Sequence, residues 1–146
     1  MLKKINNFLA TGFYSGYLPV APGTWGSLLT VLLLFFFPNL NNIYLLSALC
    51  LGGIAISNFE EKQTGIKDDS KIVIDEMAGQ LLVFFSLELT LPILISGFIL
   101  FRIFDITKPW LIDKVQNLPS GWGVMLDDIL AGLISLIILK VILFLI

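Results

Sequence analysis

The sequence predicts an all-α protein: a compact bundle of about four to five short transmembrane helices, with its polar motifs gathered at the cytoplasmic face. Two observations predict this class. Hydrophobic residues make up 57% of the chain and charged residues only 14%, whereas soluble domains average about 45–50% and about 25%. The apolar residues also fall into long runs separated by polar stretches. The length suits one membrane-embedded domain over residues 1–146.

The N-terminal half contains two short apolar runs. Residues 1–23 are mixed in character and rich in glycine and proline towards their end. The first run covers residues 24–37 and the second covers residues 43–57, with a polar turn between them. Each is shorter than the about 20 residues that a spanning helix needs. We therefore expect both helices to extend into flanking residues or to thin the bilayer locally. A partly inserted bundle is the alternative.

The C-terminal half contains one interrupted run and one continuous run. Residues 77–104 are apolar but are broken by Glu88 and Pro92, which favours two short helices joined by a turn. Residues 105–123 are polar, and residues 124–146 are apolar to the end. The last helix is expected to begin near Gly123 or Val124.

Lysines predict the orientation of the bundle. They precede the first run, follow the second and follow the fourth, whereas the two intervening turns carry no Lys or Arg. The positive-inside rule places all three basic regions in the cytoplasm. The lysines concerned are Lys3, Lys4, Lys62, Lys67, Lys71, Lys108 and Lys114.

Several classes of function are excluded by composition. The net charge of −2 and the lack of a basic cluster argue against nucleic acid as a partner. The absence of histidine excludes Ser-His-Asp and Cys-His catalysis and His-ligated zinc. The single cysteine, Cys50, cannot form an internal disulfide. Nothing in the sequence indicates an oligomeric state.

Five carboxylates lie at the borders of apolar runs: Asp75, Glu76, Asp105, Asp127 and Asp128. An ionised carboxylate in hydrocarbon costs several kcal/mol unless a cation compensates it. Mg²⁺ prefers oxygen ligands, so we expect Asp75, Glu76, Asp127 and Asp128 to hold one or two Mg²⁺ ions. Taken alone, a helix cap explains the first acidic pair somewhat better than a metal site does. It explains the second pair less well, because that pair lies about one turn inside its helix.

A second motif carries cations. Arg102, Asp105 and Lys108 are spaced three apart and would share one helix face. An arginine within F-I-L-F-R-I-F-D requires an anion, and Arg and Lys both bind phosphate. A local ion-pair ladder is the alternative. Together with the metal site, this motif predicts metal-dependent phosphate chemistry at a membrane face.

Four motifs, in this order, resemble the phosphatidylglycerophosphatase A family: A-P-G-T-x-G-S, K-D-x-x-x-I-V-I-D-E-x-x-G, F-R-x-F-D-I-x-K-P-W and G-x-G-V-M-L-D-D-x-x-A-G. The resemblance implies a Mg²⁺-dependent enzyme of the bacterial inner membrane, multi-pass, with its site facing the cytoplasm. It also implies a phospholipid substrate, phosphatidylglycerophosphate, which loses its terminal phosphate to give phosphatidylglycerol.

The resemblance also implies roles for residues. The catalytic residues would be Asp75, Glu76, Asp105, Asp127 and Asp128, and the phosphate-binding residues would be Arg102, Lys108 and Thr24, with Asp68 as a further candidate. Water and an aspartate both stay open as the nucleophile. The rival functions are a non-catalytic small membrane subunit with an acidic ion-binding site and an alcohol phosphotransferase, whose D-x-x-D-G-type signature the chain lacks.

Overall fold

Helices account for nearly all the regular structure in the computed structural model, which describes residues 1–67, 69–109, 111–116, 118 and 121–145. Within these ranges there are no strands, so the predicted all-α class is confirmed. Two short 3₁₀ turns, Ser15–Tyr17 and Pro38–Leu40, lie between helices. The α-helices in chain order are α1 Leu2–Ala10, α2 Pro22–Phe36, α3 Ile43–Thr64, α4 Ile74–Val83, α5 Leu91–Thr107, α6 Leu111–Gln116 and α7 Gly121–Leu145.

Two helix boundaries differ from the predicted ones, and helix α6 was not predicted. Helix α3 continues past residue 57 to Thr64, because its polar C-terminal turns consist of good helix formers. It ends at Gly65, whose φ of 72° is the left-handed conformation typical of a helix C-terminus. Helix α7 begins at Gly121, before the predicted start near Gly123 or Val124. Helix α6 lies in a stretch predicted only as polar.

The N-terminal helix α1 was not predicted, and it is fastened to α3 by buried polar contacts. Glu60 of α3 is only 2% exposed. Its two carboxylate oxygens accept hydrogen bonds from the side-chain amides of Asn6 and Asn7, each at 2.7 Å. These contacts satisfy a carboxylate that would otherwise be costly to bury. The polar residues of the N-terminal region therefore serve packing.

The interrupted run forms two helices, as predicted. Helix α4 ends at Val83, and α5 begins at Leu91 with Pro92 in its first turn, where proline costs no hydrogen bond. Helix α4 has only 10 residues, so it is about 15 Å long and covers about half of a 30 Å hydrocarbon layer. It lies at the centre of the fold, packed against α2, α3, α5 and α7.

Two glycines let α4 and α7 approach closely. A methyl group on Gly79 would lie 2.5 Å from the carbonyl oxygen of Asp128, and one on Gly132 would overlap the carbonyl oxygen of Gly79. Both glycines follow an acidic pair by about one turn, and small residues at such positions let two helices approach closely.

Side-chain contacts tie together the end of the bundle that lies away from the acidic pairs. Asn41, between α2 and α3, donates to the carbonyl oxygen of Phe84 at 2.7 Å. Lys140, near the end of α7, donates to the hydroxyl of Ser86 at 3.0 Å. The turns after α2 and α4 therefore lie at one end. Helices α2 and α3 therefore form one hairpin, and α4 and α5 form another. Each hairpin turns at this end of the bundle and returns the chain to the end that carries the acidic pairs.

In the described part of the chain, two helices, α3 and α7, are long and apolar enough to cross a membrane, and α2 is a shorter apolar helix. Large apolar side chains stand exposed on several helices, among them Leu51, Leu91 and Ile137. Exposed apolar area of this kind marks a surface that meets lipid or a partner. The chain thus has the features of a membrane protein, and four to five crossings remain a prediction.

Candidate metal and phosphate site

Three carboxylates from two helices meet at one point. Asp75 and Glu76 lie in the first turn of α4, and Asp128 lies near the start of α7. One oxygen atom from each of the three lies within 4.8 Å of the others. The residue that precedes α4 is Val73, and no side chain of the described residues caps that helix. Capping by Asp75 therefore does not explain the pair. We call Asp75, Glu76 and Asp128 the carboxylate cluster.

The cluster suits a divalent cation. Asp75 is 6% exposed and Asp128 is 3% exposed. Asp75 Oδ1, Glu76 Oε2 and Asp128 Oδ1 are buried and have no hydrogen-bond partner among the described residues. Buried carboxylate oxygens without a hydrogen-bond partner are unfavourable, and ionised carboxylates this close together repel one another. Oxygen donors in such an arrangement match the ligands that Mg²⁺ prefers.

Asp127 lies beside the cluster and pairs with a lysine. The distance between Lys108 Nζ and Asp127 Oδ2 is 2.5 Å, and Asp127 Oδ1 accepts a hydrogen bond from the backbone N–H of Asp128 at 3.0 Å. Burial alone would lower the pKa of Lys108, but the hydrogen bond and charge of Asp127 outweigh burial and raise that pKa above its usual value. The structure thus joins a predicted metal ligand to a predicted phosphate ligand, and both roles stay predictions.

Arg102 is held on the other side of the cluster. Its Nη1 atom lies 2.5 Å from Asp105 Oδ2 and donates to the hydroxyl of Ser27 at 3.3 Å. Its Nε atom is buried and has no partner in the described part of the chain. The predicted ion-pair ladder along α5 is therefore only partly formed, because Lys108 pairs with Asp127 on α7 and only Arg102 pairs with Asp105. One guanidinium donor stays available for an anion.

The start of α2 closes over this region. A methyl group on Gly23 would overlap Glu76 Oε1 and would lie 3.3 Å from Arg102 Nη1. The motif A-P-G-T-x-G-S therefore reaches the site through Gly23 and Ser27. Thr24, the predicted phosphate contact, is half-buried and lines a groove beside Arg102. The small residues of the motif were the signal that sequence reasoning did not use.

One further polar residue was missed. Gln80 is fully buried, and neither its amide nitrogen nor its amide oxygen has a partner among the described residues. It follows Glu76 by one helical turn and so lies on the same face of α4. A glutamine inside the run M-A-G-Q-L-L-V-F-F was the available signal. Asp68, the further candidate, lies outside the described residues.

Comparison with known proteins gives a consistent result. A family model described as Phosphatidylglycerophosphatase A matches residues 8–143. Phosphatidylglycerophosphatase A of Escherichia coli K12 is 37% identical over 88% of this chain and 78% of that protein. Its counterpart from Haemophilus influenzae is 36% identical over 94% of this chain and 91% of that protein.

A third relative bears a different name. A Bacteroides thetaiotaomicron protein, provisionally named a phosphatidylinositol-3-phosphatase, is 40% identical over 91% of this chain and 90% of that protein. No solved structure matches the chain.

Proposed function

Because the chain belongs to the phosphatidylglycerophosphatase A family, we propose that it hydrolyses phosphatidylglycerophosphate to phosphatidylglycerol and phosphate. It is a phosphatase that acts on a phosphate monoester. In the proposed reaction the oxygen of water ends on phosphorus, and the glycerol oxygen leaves as an alcohol. The product would feed phosphatidylglycerol and cardiolipin synthesis. The observation that carries the proposal is the buried carboxylate cluster beside an arginine with a free donor.

We propose that Mg²⁺ is the cofactor and that Asp75, Glu76 and Asp128 hold it. Their three unpartnered oxygens support this assignment. Asp127 adds negative charge next to them. When bound, Mg²⁺ would offset the charge of the phosphate and polarise the ester.

The cationic residues would bind the substrate phosphate. Arg102 offers its unpartnered Nε atom, and Asp105 fixes the guanidinium through the contact at Nη1. A positioned guanidinium stabilises charge on a transferring phosphoryl group. Lys108, paired with Asp127, would add a second positive charge at the edge of the site.

We further propose a multi-pass protein of the bacterial inner membrane. Helices α2, α3, α5 and α7 would cross the bilayer, and α4 would lie among them without crossing. The distribution of lysines supports a site facing the cytoplasm. The acyl chains of the substrate would then stay in the bilayer while the phosphate enters the site.

A phosphoinositide is the second candidate substrate, because the Bacteroides relative is named for that lipid. The test is phosphate release by purified protein from phosphatidylglycerophosphate and from phosphatidylinositol 3-phosphate, each with Mg²⁺ and with a chelator. Release from the first lipid only, and only with Mg²⁺, is expected. Release from the second lipid alone would reassign the substrate.

Variants make this assay specific to the site. We expect Asp75→Asn and Arg102→Gln to lose about 100-fold or more in kcat. The matched control is Glu88→Gln, an exposed acid in the turn before α5, and it should behave like the wild type. Lack of phosphate release from either lipid by the folded wild type would instead favour the non-catalytic ion-binding subunit.

A further inference from the structure

A groove runs along the surface between the start of α2 and helix α5. It has a volume of about 440 Å³ and is lined by Thr24, Phe98, Ile99, Arg102, Ile103 and Ile106. Apolar side chains therefore form most of its wall. The guanidinium group of Arg102 also lines the groove.

The apolar wall is a stripe along α5 that nothing in the described chain covers. Ile99, Ile103 and Ile106 are 51%, 49% and 69% exposed. They are spaced four and three residues apart, so they share one face of the helix with Arg102. In a soluble protein such a stripe would pack against another element. Here Arg102, whose side chain is 14% exposed and paired with Asp105, borders the exposed apolar stripe. This arrangement matches a ligand that has an anion at one end and hydrocarbon at the other.

Arg102 connects this groove to the carboxylate cluster. A methyl group on Gly23 would meet both Glu76 Oε1 and Arg102 Nη1, so the guanidinium lies at the border between the two sites. The middle of α5, at Phe98 and Ile99, lies farther from the site end of the bundle than Arg102 does. A lipid whose phosphate reaches Arg102 could thus lay its hydrocarbon along the groove towards the middle of the helix.

We propose that this groove binds the glycerol backbone and the first part of one acyl chain of a phospholipid whose terminal phosphate monoester lies at Arg102. The proposal rests on the proposed function and extends it by saying where the lipid enters. It makes Ile99 and Phe98 residues that select for long acyl chains. The occupant is a lipid of the same bilayer, because the groove opens on the apolar surface of the bundle.

The test compares two substrates that differ only in chain length. The kcat/KM value is measured for long-chain phosphatidylglycerophosphate and for its dihexanoyl form, both in detergent. The variant Ile99→Trp fills the groove, and we expect the ratio of long-chain to short-chain kcat/KM to fall roughly tenfold. The matched control is Ile137→Trp on α7, since Ile137 is 53% exposed, and its ratio should equal that of the wild type. An unchanged ratio in Ile99→Trp, or an equal fall in both variants, would overturn the proposal.

A second measurement does not depend on turnover. A photoreactive benzophenone amino acid is placed at position 99 or at position 137, in membranes that contain phosphatidylglycerophosphate or phosphatidylglycerol. At position 99 we expect stronger labelling of the lipid that ends in a phosphate monoester, whereas position 137 should label both alike. Equal labelling of the two lipids at position 99 would contradict the groove. If the wild type released no phosphate, the proposed function would fail. The labelling would still show whether the groove binds a phospholipid that ends in a phosphate monoester.

Discussion

The carbonyl oxygen of Gly79 lies directly against Gly132 where α4 crosses α7. This contact fixes how the two helices are aligned. Asp75 precedes Gly79 by four residues, and Asp128 precedes Gly132 by four residues. The crossing therefore brings one turn of each helix, with its carboxylate, to the same side. The carboxylate cluster is a consequence of this backbone contact.

The substitution Gly79→Ala should separate the two helices. Its methyl group would lie 2.5 Å from the Asp128 carbonyl oxygen and 2.7 Å from the Phe101 ring. We expect a loss of about 1–3 kcal/mol in the free energy of unfolding, measured by denaturation in detergent, together with weaker activation by Mg²⁺. The control Gly52→Ala adds a methyl group that meets nothing within 4 Å, and it should be neutral or stabilise α3 by up to about 1 kcal/mol. Equal stability of the two variants would contradict the close crossing.

The substitution Asp128→Asn should have opposite effects on stability and on activity. It removes one of three mutually repelling carboxylates, of which Asp75 and Asp128 are buried, so the melting temperature in a chelator should rise. The increase in melting temperature that Mg²⁺ gives the wild type should largely disappear, and kcat should fall about 100-fold or more. The control is Glu88→Gln, at an exposed position. It should keep the stabilisation by Mg²⁺ and the kcat of the wild type. A variant that is still stabilised by Mg²⁺ as the wild type is would remove Asp128 from the metal site.

Much of the fold could be predicted from hydrophobic runs, because burial in lipid or in a helix bundle imposes a pattern that sequence displays directly. The break at Glu88 and Pro92, which separates α4 from α5, is an example. Helix α1 could not be predicted, since its place depends on Asn6 and Asn7 bonding to Glu60, more than fifty residues away.

The acidic pairs of the site could also be predicted, since acids beside apolar runs are rare. The different partners of Asp127 and Asp128 could not be predicted from the sequence. Asp127 and Asp128 are neighbours in sequence, yet one pairs with Lys108 and the other joins the carboxylate cluster. That division depends on which face of α7 meets α4 and which meets the end of α5. Likewise Gln80 resembles an ordinary polar residue until its complete burial is known.

The contact between Lys108 and Asp127 gives a prediction about pH. A raised pKa means that the stabilisation is complete below the unfolded value of about 10.4 and is lost only as the pH rises through the higher folded value. We therefore expect Lys108→Met to lower the free energy of unfolding by about 1–3 kcal/mol. The difference should be constant between about pH 6 and pH 9.

The control for this experiment is Lys140→Met, which removes an exposed lysine whose partner is the hydroxyl of Ser86. It should cost less, because no buried carboxylate loses its cation. Unfolding curves at several pH values provide the measurement. A Lys108→Met effect that shrinks between neutral and mildly alkaline pH would show that Lys108 loses its proton there.

The substitution Gln80→Met tests the missed polar residue. It replaces a fully buried amide, both of whose polar atoms lack partners among the described residues, with an apolar chain of similar length. We expect the free energy of unfolding to rise by about 1 kcal/mol. We also expect kcat to fall about tenfold, because the amide lies one turn from Glu76, a proposed metal ligand that it would support. The control is Gln63→Met, an exposed glutamine on α3. Full activity in Gln80→Met would make Gln80 a packing residue only.

The short length of α4 sets the path that the proposed products would take. Beyond its acidic first turn, the helix leads into Leu81, Val83 and Phe84, which are fully buried against Leu94 and Phe101. These apolar side chains belong to one buried cluster that follows the carboxylate cluster along α4. In the proposed reaction, inorganic phosphate would therefore return to the side from which the headgroup entered, and the apolar cluster would keep ions from crossing the bundle.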